Sequence, residues 1–288
     1  MPELPEVETV RRRLLTCLPG MRLRDVVVND ATVSEQSEAE LRTALTARRV
    51  GGLRRRGKYL LVDLDAAADG DLGEAGPADA GRATAVIHLR MTGQLLFRPE
   101  PGQRPARFIW YLDPATELHF MDVRRFGRVW AIDPSAEEAF FARRGMGPEP
   151  FGPEFTVAYL RQALEGRRAP LKAFLLDQRR LAGVGNIYAD EALFRARLHP
   201  LRVAGRVGPR QARRLHAAIL ETLQAGIEHE GSSIESFIDP AGVRGTFQTM
   251  LNVYQRTGEP CRVCGTAIER VVVGGRGTHY CPRCQSRR

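Results

Sequence analysis

Four of the five cysteines close the chain as Cys261, Cys264, Cys281 and Cys284, in the pattern C-x2-C-x16-C-x2-C. Each C-x2-C pair forms a knuckle that turns two thiolates toward one ion, so the spacing predicts a four-cysteine zinc site held across a hairpin. Four thiolates leave no open coordination position, so the zinc expected here is structural, not catalytic. Disulfides are the other use of paired cysteines, in oxidising compartments. Glu3, Glu6 and Glu8 stand where a secretory signal needs an apolar segment, which points to an intracellular protein. Between the knuckles lies GGRGTHY, whose glycines let the backbone approach a ligand closely. Arg276 projects from that hairpin as a phosphate contact or a solvated surface charge. Cys17 is expected to be a small buried hydrophobe.

Lys and Arg total 43, yet only Lys58 and Lys172 are lysines. Arginine binds phosphate well but effectively never gives up its proton, whereas lysine can be tuned to do so. The two lysines are therefore expected where an ammonium group's size or acidity matters. Gly183-Val184-Gly185-Asn186 precedes a helical pattern, and a glycine-rich turn at a helix N-terminus suits a phosphate. Asn186 can cap that helix or donate from its amide. The dinucleotide fingerprint G-x-G-x-x-G is absent here.

The elements that must position these groups follow from periodicity. Val7, Val10, Leu14, Leu15 and Leu18 recur at helical spacing, with Pro5 in the first turn, Glu6 and Glu8 near the positive end of the dipole, and Pro19-Gly20 as a stop. Strand-like runs follow: LRDVVVND, GKYLLVDLD, ATAVIHLRMTGQLLF, RFIWYLD and LHFMDVRRFGRVWAID, interrupted by a short helix near residues 37–47. The acidic low-complexity stretch 66–83 reads as a solvated hairpin loop. MGPEPFGPEF at 146–155 reads as a hinge. Helical patterns follow it, in FTVAYLRQAL, PLKAFLLDQRR, NIYADEALFRARL and PRQARRLHAAILETLQAGIEHE. EGSSIESFIDPAGVRGTFQ is either an ordinary connector or a mobile loop that closes over a ligand. The resulting division is 1-147, 148-252 and 253-288. The 288 residues are 43% hydrophobic, enough for a sizeable core, with a net charge of +9 that favours polyanions. No apolar run reaches the roughly 20 residues that span a bilayer, so no membrane role is expected.

MPELPEVETVRRR, RRGKYL, HLRMTGQL, DVRRFG, GVGNIYADEALF and the final zinc knuckles together resemble the formamidopyrimidine-DNA glycosylase family. The resemblance runs from the first residue to the last cysteine. It implies an α+β, multi-domain fold: an N-terminal β-sandwich with flanking helices, then a helix–two-turn–helix domain and a four-cysteine zinc-finger β-hairpin, with duplex DNA between the domains. It implies a bifunctional DNA glycosylase and abasic-site lyase that removes oxidised purines. The sister endonuclease VIII branch acts on oxidised pyrimidines and typically begins MPEGPE; Leu4 favours the purine branch. A zinc-bearing DNA-binding protein without catalysis is the reading from another class, and Pro2, Glu3 and Lys58 argue against it.

The resemblance also assigns roles. Loss of Met1 would leave Pro2 with a secondary amine, and an α-amino group with a pKa of roughly 7.7–8.0 is partly neutral at working pH. A neutral amine can attack C1′ of the damaged nucleotide, and the iminium ion so formed is an electron sink for elimination. Glu3 is the general acid that opens the sugar ring, and Glu6 supports it or orders water. Lys58 is the proton donor in β-elimination. The resemblance makes Arg276 the proton donor for δ-elimination; guanidinium is a very poor acid, so a phosphate clamp that stabilises the leaving group fits better. A base is unreachable inside a duplex and must be flipped out. Phe126 would wedge into the stack, Arg124 would bond the orphaned cytosine and Met91 would fill the vacated space. His88, Arg168, Lys172 and Asn186 are further DNA contacts, and the loop from about 231 to 245 caps the everted base. One structural Zn2+, no organic cofactor, a monomer, damaged duplex DNA as partner and a bacterial cytoplasmic location complete the expectation. Two departures stand out: Arg90 where glycine is usual, and Pro105 where a histidine often contacts DNA.

Overall fold

Alternation of large apolar and polar residues builds the first half of the chain. The computed structural model describes residues 1–66, 81–99, 106–234 and 236–287. In β6 (Phe108–Asp113), Phe108, Trp110 and Leu112 are buried, while Ile109, Tyr111 and Asp113 are only partly so. The other strands of this half are β1 (Arg22–Val28), β2 (Arg48–Arg56), β3 (Tyr59–Ala66), β4 (Ala83–His88), β5 (Gly93–Phe97), β7 (Thr116–Asp122) and β8 (Arg128–Ile132). They join in the order β5-β7-β6-β1-β2-β3-β4-β8, and each neighbouring pair is antiparallel. The β1–β2 ladder is the short one: Arg22 pairs with Arg49 and Leu23 with Arg48. Register shifts flank it in both strands, between Leu23 and Asp25 and between Val50 and Gly52. Bulges of this kind bend a sheet. One core accordingly draws on both ends of the sheet, with Leu95, Phe120 and Trp110 from one and Val62, Ile87 and Val129 from the other. This is the expected β-sandwich.

Helix α1 (Leu4–Leu15) lays Leu4, Val7, Val10 and Leu14 inward, each essentially without exposure. Burial of each such aliphatic side chain contributes about 1.5–3 kcal/mol, so the head of the chain is fixed, not frayed. Helix α2 (Glu38–Leu45) starts at a Ser37–Glu40 capping box and buries Leu41 and Leu45. Helix α3 (Glu137–Arg143) follows the last strand of the sandwich.

Three features differ from the sequence reading. β2, RRVGGLRRR, carries too little apolar periodicity to read as a strand; backbone pairing with β3 along its length decides it. The long runs 83–97 and 118–133 each break into two strands, around turns at 89–92 and 123–127. Those turns carry Met91, Arg124 and Phe126. Residues 67–80 of the acidic stretch, and Pro105, lie outside the described residues.

The second half contains α4 (Val157–Leu164), α5 (Leu171–Leu176), α6 (Asn186–Arg195), α7 (Pro209–Glu228) and the antiparallel hairpin of β9 (Glu269–Val273) and β10 (Arg276–Tyr280). Residues Ile187 to Phe194 of α6 are all buried, as expected of a central helix. Helices α5 and α7 and strand β10 pack on it. By its contacts the chain divides into one unit of Met1–Arg143 with Glu230–Thr246 and another of Arg144–His229 with Phe247–Arg288. The segment 230–246 joins the sandwich because Phe237 enters its core and Ile238 packs near Leu96 and Met121.

Candidate catalytic and nucleic-acid-binding sites

Within the first unit, the head of α1 is a built site. Pro2 and Glu3 are buried, ahead of the first helical residue. The Glu3 backbone N–H donates to Glu6 Oε2 at 2.7 Å. Glu6 Oε1 accepts from the Ser232 backbone N–H, also at 2.7 Å. Glu6 is therefore a bracket between the helix head and the 230–246 segment. Phe97 N–H donates to Pro240 O at 2.9 Å, Gln94 Nε2 donates to Ser236 O, and Arg13 pairs with Asp239 at 2.9 Å. These bonds hold the segment against the sandwich.

Lys58 does not open a strand; it sits with Gly57 in the turn before β3, and it is buried. A chain of bonds ties that turn to α1. Arg55 Nη1 donates to Gly57 O at 3.1 Å, and Arg55 Nε lies 3.3 Å from Glu8 Oε2. Glu8 also accepts from Arg11 and Arg12. Burial pushes the Glu8 carboxyl up, but its bonds to Arg11 and Arg12 outweigh this and hold it below the usual range. Glu8 and Arg55 were missed as positioning groups because they meet only through packing of α1 on β2. His88 is buried, with its ring 4.5 Å edge-on from Tyr59, and its Nδ1 accepts from the Arg90 N–H at 3.0 Å. That nitrogen is occupied by the turn it precedes.

The loop after β7 is exposed: Val123 retains 67% and Phe126 48% of its surface. The Arg124 guanidinium lies over the Phe126 ring, 5.1 Å from its centroid, a cation–π arrangement. Met91 is half-buried in the preceding turn. An aromatic exposed beside arginines on a rigid sheet is a surface that can enter a base stack.

In the second unit, Sγ atoms of Cys261, Cys264, Cys281 and Cys284 lie within 4.8 Å of one another. Cys261 and Cys284 are separated by 3.9 Å, and Cys264 and Cys281 by 3.4 Å. Zinc–sulfur bonds of about 2.3 Å at tetrahedral angles set sulfurs about 3.8 Å apart, so the donor set fits zinc and closes its coordination. Gly274 and Gly275, at φ 56° and 74°, make the turn of the hairpin, and exposed Arg276 follows. Left-handed conformations at two successive residues favour glycine, and they suit a tight hairpin.

One expected DNA contact and one expected helix cap are corrected here. Lys172 has no exposed surface; its Nζ lies 2.7 Å from Asp190 Oδ1 and donates to Thr278 Oγ1 at 2.8 Å and Gly277 O at 3.1 Å. An ammonium group so enclosed cannot reach a phosphate, so Lys172 is an internal tie between α5, α6 and β10. Asn186 is not the cap of α6; Gly185 is, and Asn186 is the first helical residue. Its Nδ2 donates to Gly277 O at 3.1 Å. Arg168 is exposed between α4 and α5. Asp190, which also accepts from the His279 N–H at 2.9 Å, escaped the sequence reading because it looked like one acidic residue on a helix.

An exposed aromatic among arginines and a hairpin braced by a zinc site suit a zinc-finger protein that engages a nucleic acid. The family model for the formamidopyrimidine-DNA glycosylase N-terminal domain matches residues 1–129, that for its H2TH domain residues 146–238, and that for the zinc finger found in FPG and IleRS residues 258–287. The formamidopyrimidine-DNA glycosylase of Pelotomaculum thermopropionicum is 41% identical, covering 99% of both chains. That of Heliobacterium modesticaldum is 44% identical over 99% of this chain and 100% of its own. Among solved structures, the MutM (Fpg) protein of Thermus thermophilus matches with a TM-score of 0.83 at 43% identity, covering 99% of this chain and 98% of the other. A Lactococcus lactis FPG mutant in complex with Fapy-dG-containing DNA matches with a TM-score of 0.87 at 33% identity, covering 99% and 100%. The chain belongs to the formamidopyrimidine-DNA glycosylase family, and is a DNA glycosylase of base excision repair.

Proposed function

We propose that the protein removes oxidised purines, 8-oxoguanine and formamidopyrimidines, from duplex DNA through a Schiff base on Pro2, and then cleaves the strand by β,δ-elimination. The observation that carries this reading is the helix head: Pro2 and Glu3 are buried together on a helix anchored in the sandwich core. With Met1 removed, the neutral Pro2 amine attacks C1′ and the bond to the base breaks. Glu3 protonates the ring oxygen as the sugar opens, leaving an iminium ion. Water takes a C2′ proton, the C–H electron pair flows into the iminium, and the C3′–O bond breaks to release the 3′ phosphate, whose leaving oxygen Lys58 protonates. The second elimination expels the 5′ phosphate, with Arg276 holding its negative charge. Phe126, Arg124 and Met91 replace the everted base; Arg168, Asn186 and His88 support the DNA backbone and lesion.

Zinc bound by Cys261, Cys264, Cys281 and Cys284 supplies a brace and no chemistry to the reaction. The functional domains are 1-147, 148-252 and 253-288, with residues 230–246 of the second packed into the first unit; the segment 231–245 caps the lesion, and the protein acts as a monomer without an organic cofactor. No described helix is long and apolar enough to cross a membrane. A charge of +9 suits association with the nucleoid in a bacterial cytoplasm.

Borohydride trapping tests this on two duplexes, one with 8-oxoguanine opposite cytosine and one with thymine glycol opposite adenine. The expected product is a covalent adduct at Pro2 that forms preferentially on the purine lesion. Preference for the pyrimidine would move the protein to the endonuclease VIII branch. No adduct from a chain lacking Met1 would remove the Schiff-base mechanism.

A further inference from the structure

We infer that Asp122 is a positioning residue for base extrusion, tying the turn that carries Met91 to the loop that carries Arg124 and Phe126 so that the inserting side chains act as one unit. The inference rests on the wedge reading above. Asp122 has a fully buried side chain at the end of β7. Its Oδ1 accepts from Thr92 Oγ1, in the Met91 turn, and from the Arg124 N–H at 3.3 Å. The same Arg124 N–H lies 3.2 Å from Thr92 Oγ1. Its Oδ2 accepts from the Gly127 N–H at 2.6 Å and from Arg107 Nη1 at 3.2 Å. One carboxylate thus bonds to both ends of the 123–127 loop and to the neighbouring turn.

Arg107 closes the arrangement from below. It is buried, and it donates to Gly127 O at 2.9 Å, Asp30 Oδ2 at 2.8 Å and Thr32 Oγ1 at 3.0 Å. A β-carbon on Gly127 would collide with the Phe120 ring and sit 3.0 Å from Asp122 Oδ2, so the loop end lies flat on the network. Both turns also hold an arginine in the left-handed region, Arg90 at φ 56° and Arg125 at φ 60°. Residues with side chains persist there only where surrounding bonds over-determine the backbone, and such strain gathers at functional sites. Arg125 Nε reaches Asp30 Oδ2 at 3.2 Å, so the second of these turns is anchored through the same network.

A loop that must push a base from its stack has to resist the recoil, and a buried charge with four donors is a stiff mount. An abasic site has no base to push out, and this separates the role from ordinary support of the fold. The test uses Asp122→Asn, which keeps the shape but sets an amide donor against other donors, and Thr92→Val, which cuts only the link between the turns. Single-turnover excision of 8-oxoguanine opposite cytosine should slow about tenfold in the first and about threefold in the second. Cleavage of a preformed abasic duplex should stay within about twofold. The fluorescence rise of a 2-aminopurine beside the lesion, which reports unstacking, should slow by the same factor as excision. Equal slowing on both duplexes, or none on either, would overturn the inference. Phe126→Ala is the control. If it excises the paired lesion at the parent rate, the wedge reading itself fails; if it is slow while both other variants are normal, only the role of Asp122 fails. Should Asp122→Asn not fold, Thr92→Val carries the test alone.

Discussion

Two exposed, arginine-bearing turns in this molecule are held in opposite ways. The loop of Arg124 and Phe126 stands on the large sandwich core and is pinned by Asp122 and Arg107. The hairpin of Arg276 has little core of its own; beneath it lie Phe194, Val253, Ile268 and the cysteines. A segment this small needs a metal or disulfide to hold a shape. Zinc sets the knuckles, but it does not orient the hairpin on the helices. The Lys172–Asp190 pair does that, by binding Gly277, Thr278 and His279, directly after Arg276. A large core can hold a functional turn with polar bonds alone, whereas a small one recruits a metal for shape and a buried ion pair for direction.

Zinc removal is the hardest blow to the contrast. Structural zinc contributes about 10 kcal/mol or more to small fingers, so chelation should lower affinity for damaged duplex at least about a hundredfold, read by fluorescence anisotropy. Both tryptophans, Trp110 and Trp130, lie in the first unit, so tryptophan emission should stay native. Full affinity without zinc, or a shifted emission spectrum, would erase the distinction. Next comes Lys172→Met. Breaking one partner of a buried pair costs about 3–5 kcal/mol, measurable as a lower urea midpoint by circular dichroism. Adding Asp190→Leu should restore part of that loss, because the stranded charge is removed.

Lys58→Arg asks whether the first region needs a lysine or merely a cation. Duplex affinity should hold within about threefold while strand cleavage slows about tenfold, because guanidinium does not give up its proton. Unchanged cleavage would remove its acid–base role. The smallest effect concerns acid. Burial pushes the Asp30 carboxyl up, but bonds from Thr32 and Arg107 outweigh it and lower it to about 2. Against an unfolded value near 3.9, this stabilisation is complete above about pH 4 and is lost as pH falls toward 2. It should amount to at most about 2.5 kcal/mol, of which only part is lost by pH 2.5, visible as a flatter decline of melting temperature between pH 5 and 2.5 in Asp30→Asn.

The zinc site was legible because its chemistry is written in residue type and close spacing, and the groups proposed for catalysis and insertion were named on the same grounds. The zinc knuckles, the proline and glutamate at the head of α1, and the proposed wedge in DVRRFG all lie within short quoted stretches. Lys172 was legible as an exception and misread as a DNA contact, since scarcity marks a residue as special without saying which way it faces. Strand β2 was illegible because its arginines give no apolar period, and its partners β1 and β3 decide its conformation. The segment 230–246 reads as polar and glycine-rich, yet one buried aromatic, Phe237, commits it to the sandwich.

The order of residues settles what is local: a metal-binding spacing, a helix that fixes the first residues, an exposed aromatic among arginines, and a family resemblance along the whole chain. Folding settles what is non-local: Glu6 with Ser232, Glu8 with Arg55, Asp122 with Thr92 and Arg107, Lys172 with Asp190. The reason is physical. A thiolate or an amine carries its chemistry wherever it stands, but a carboxylate becomes a mount only when folding brings donors to it and water is excluded.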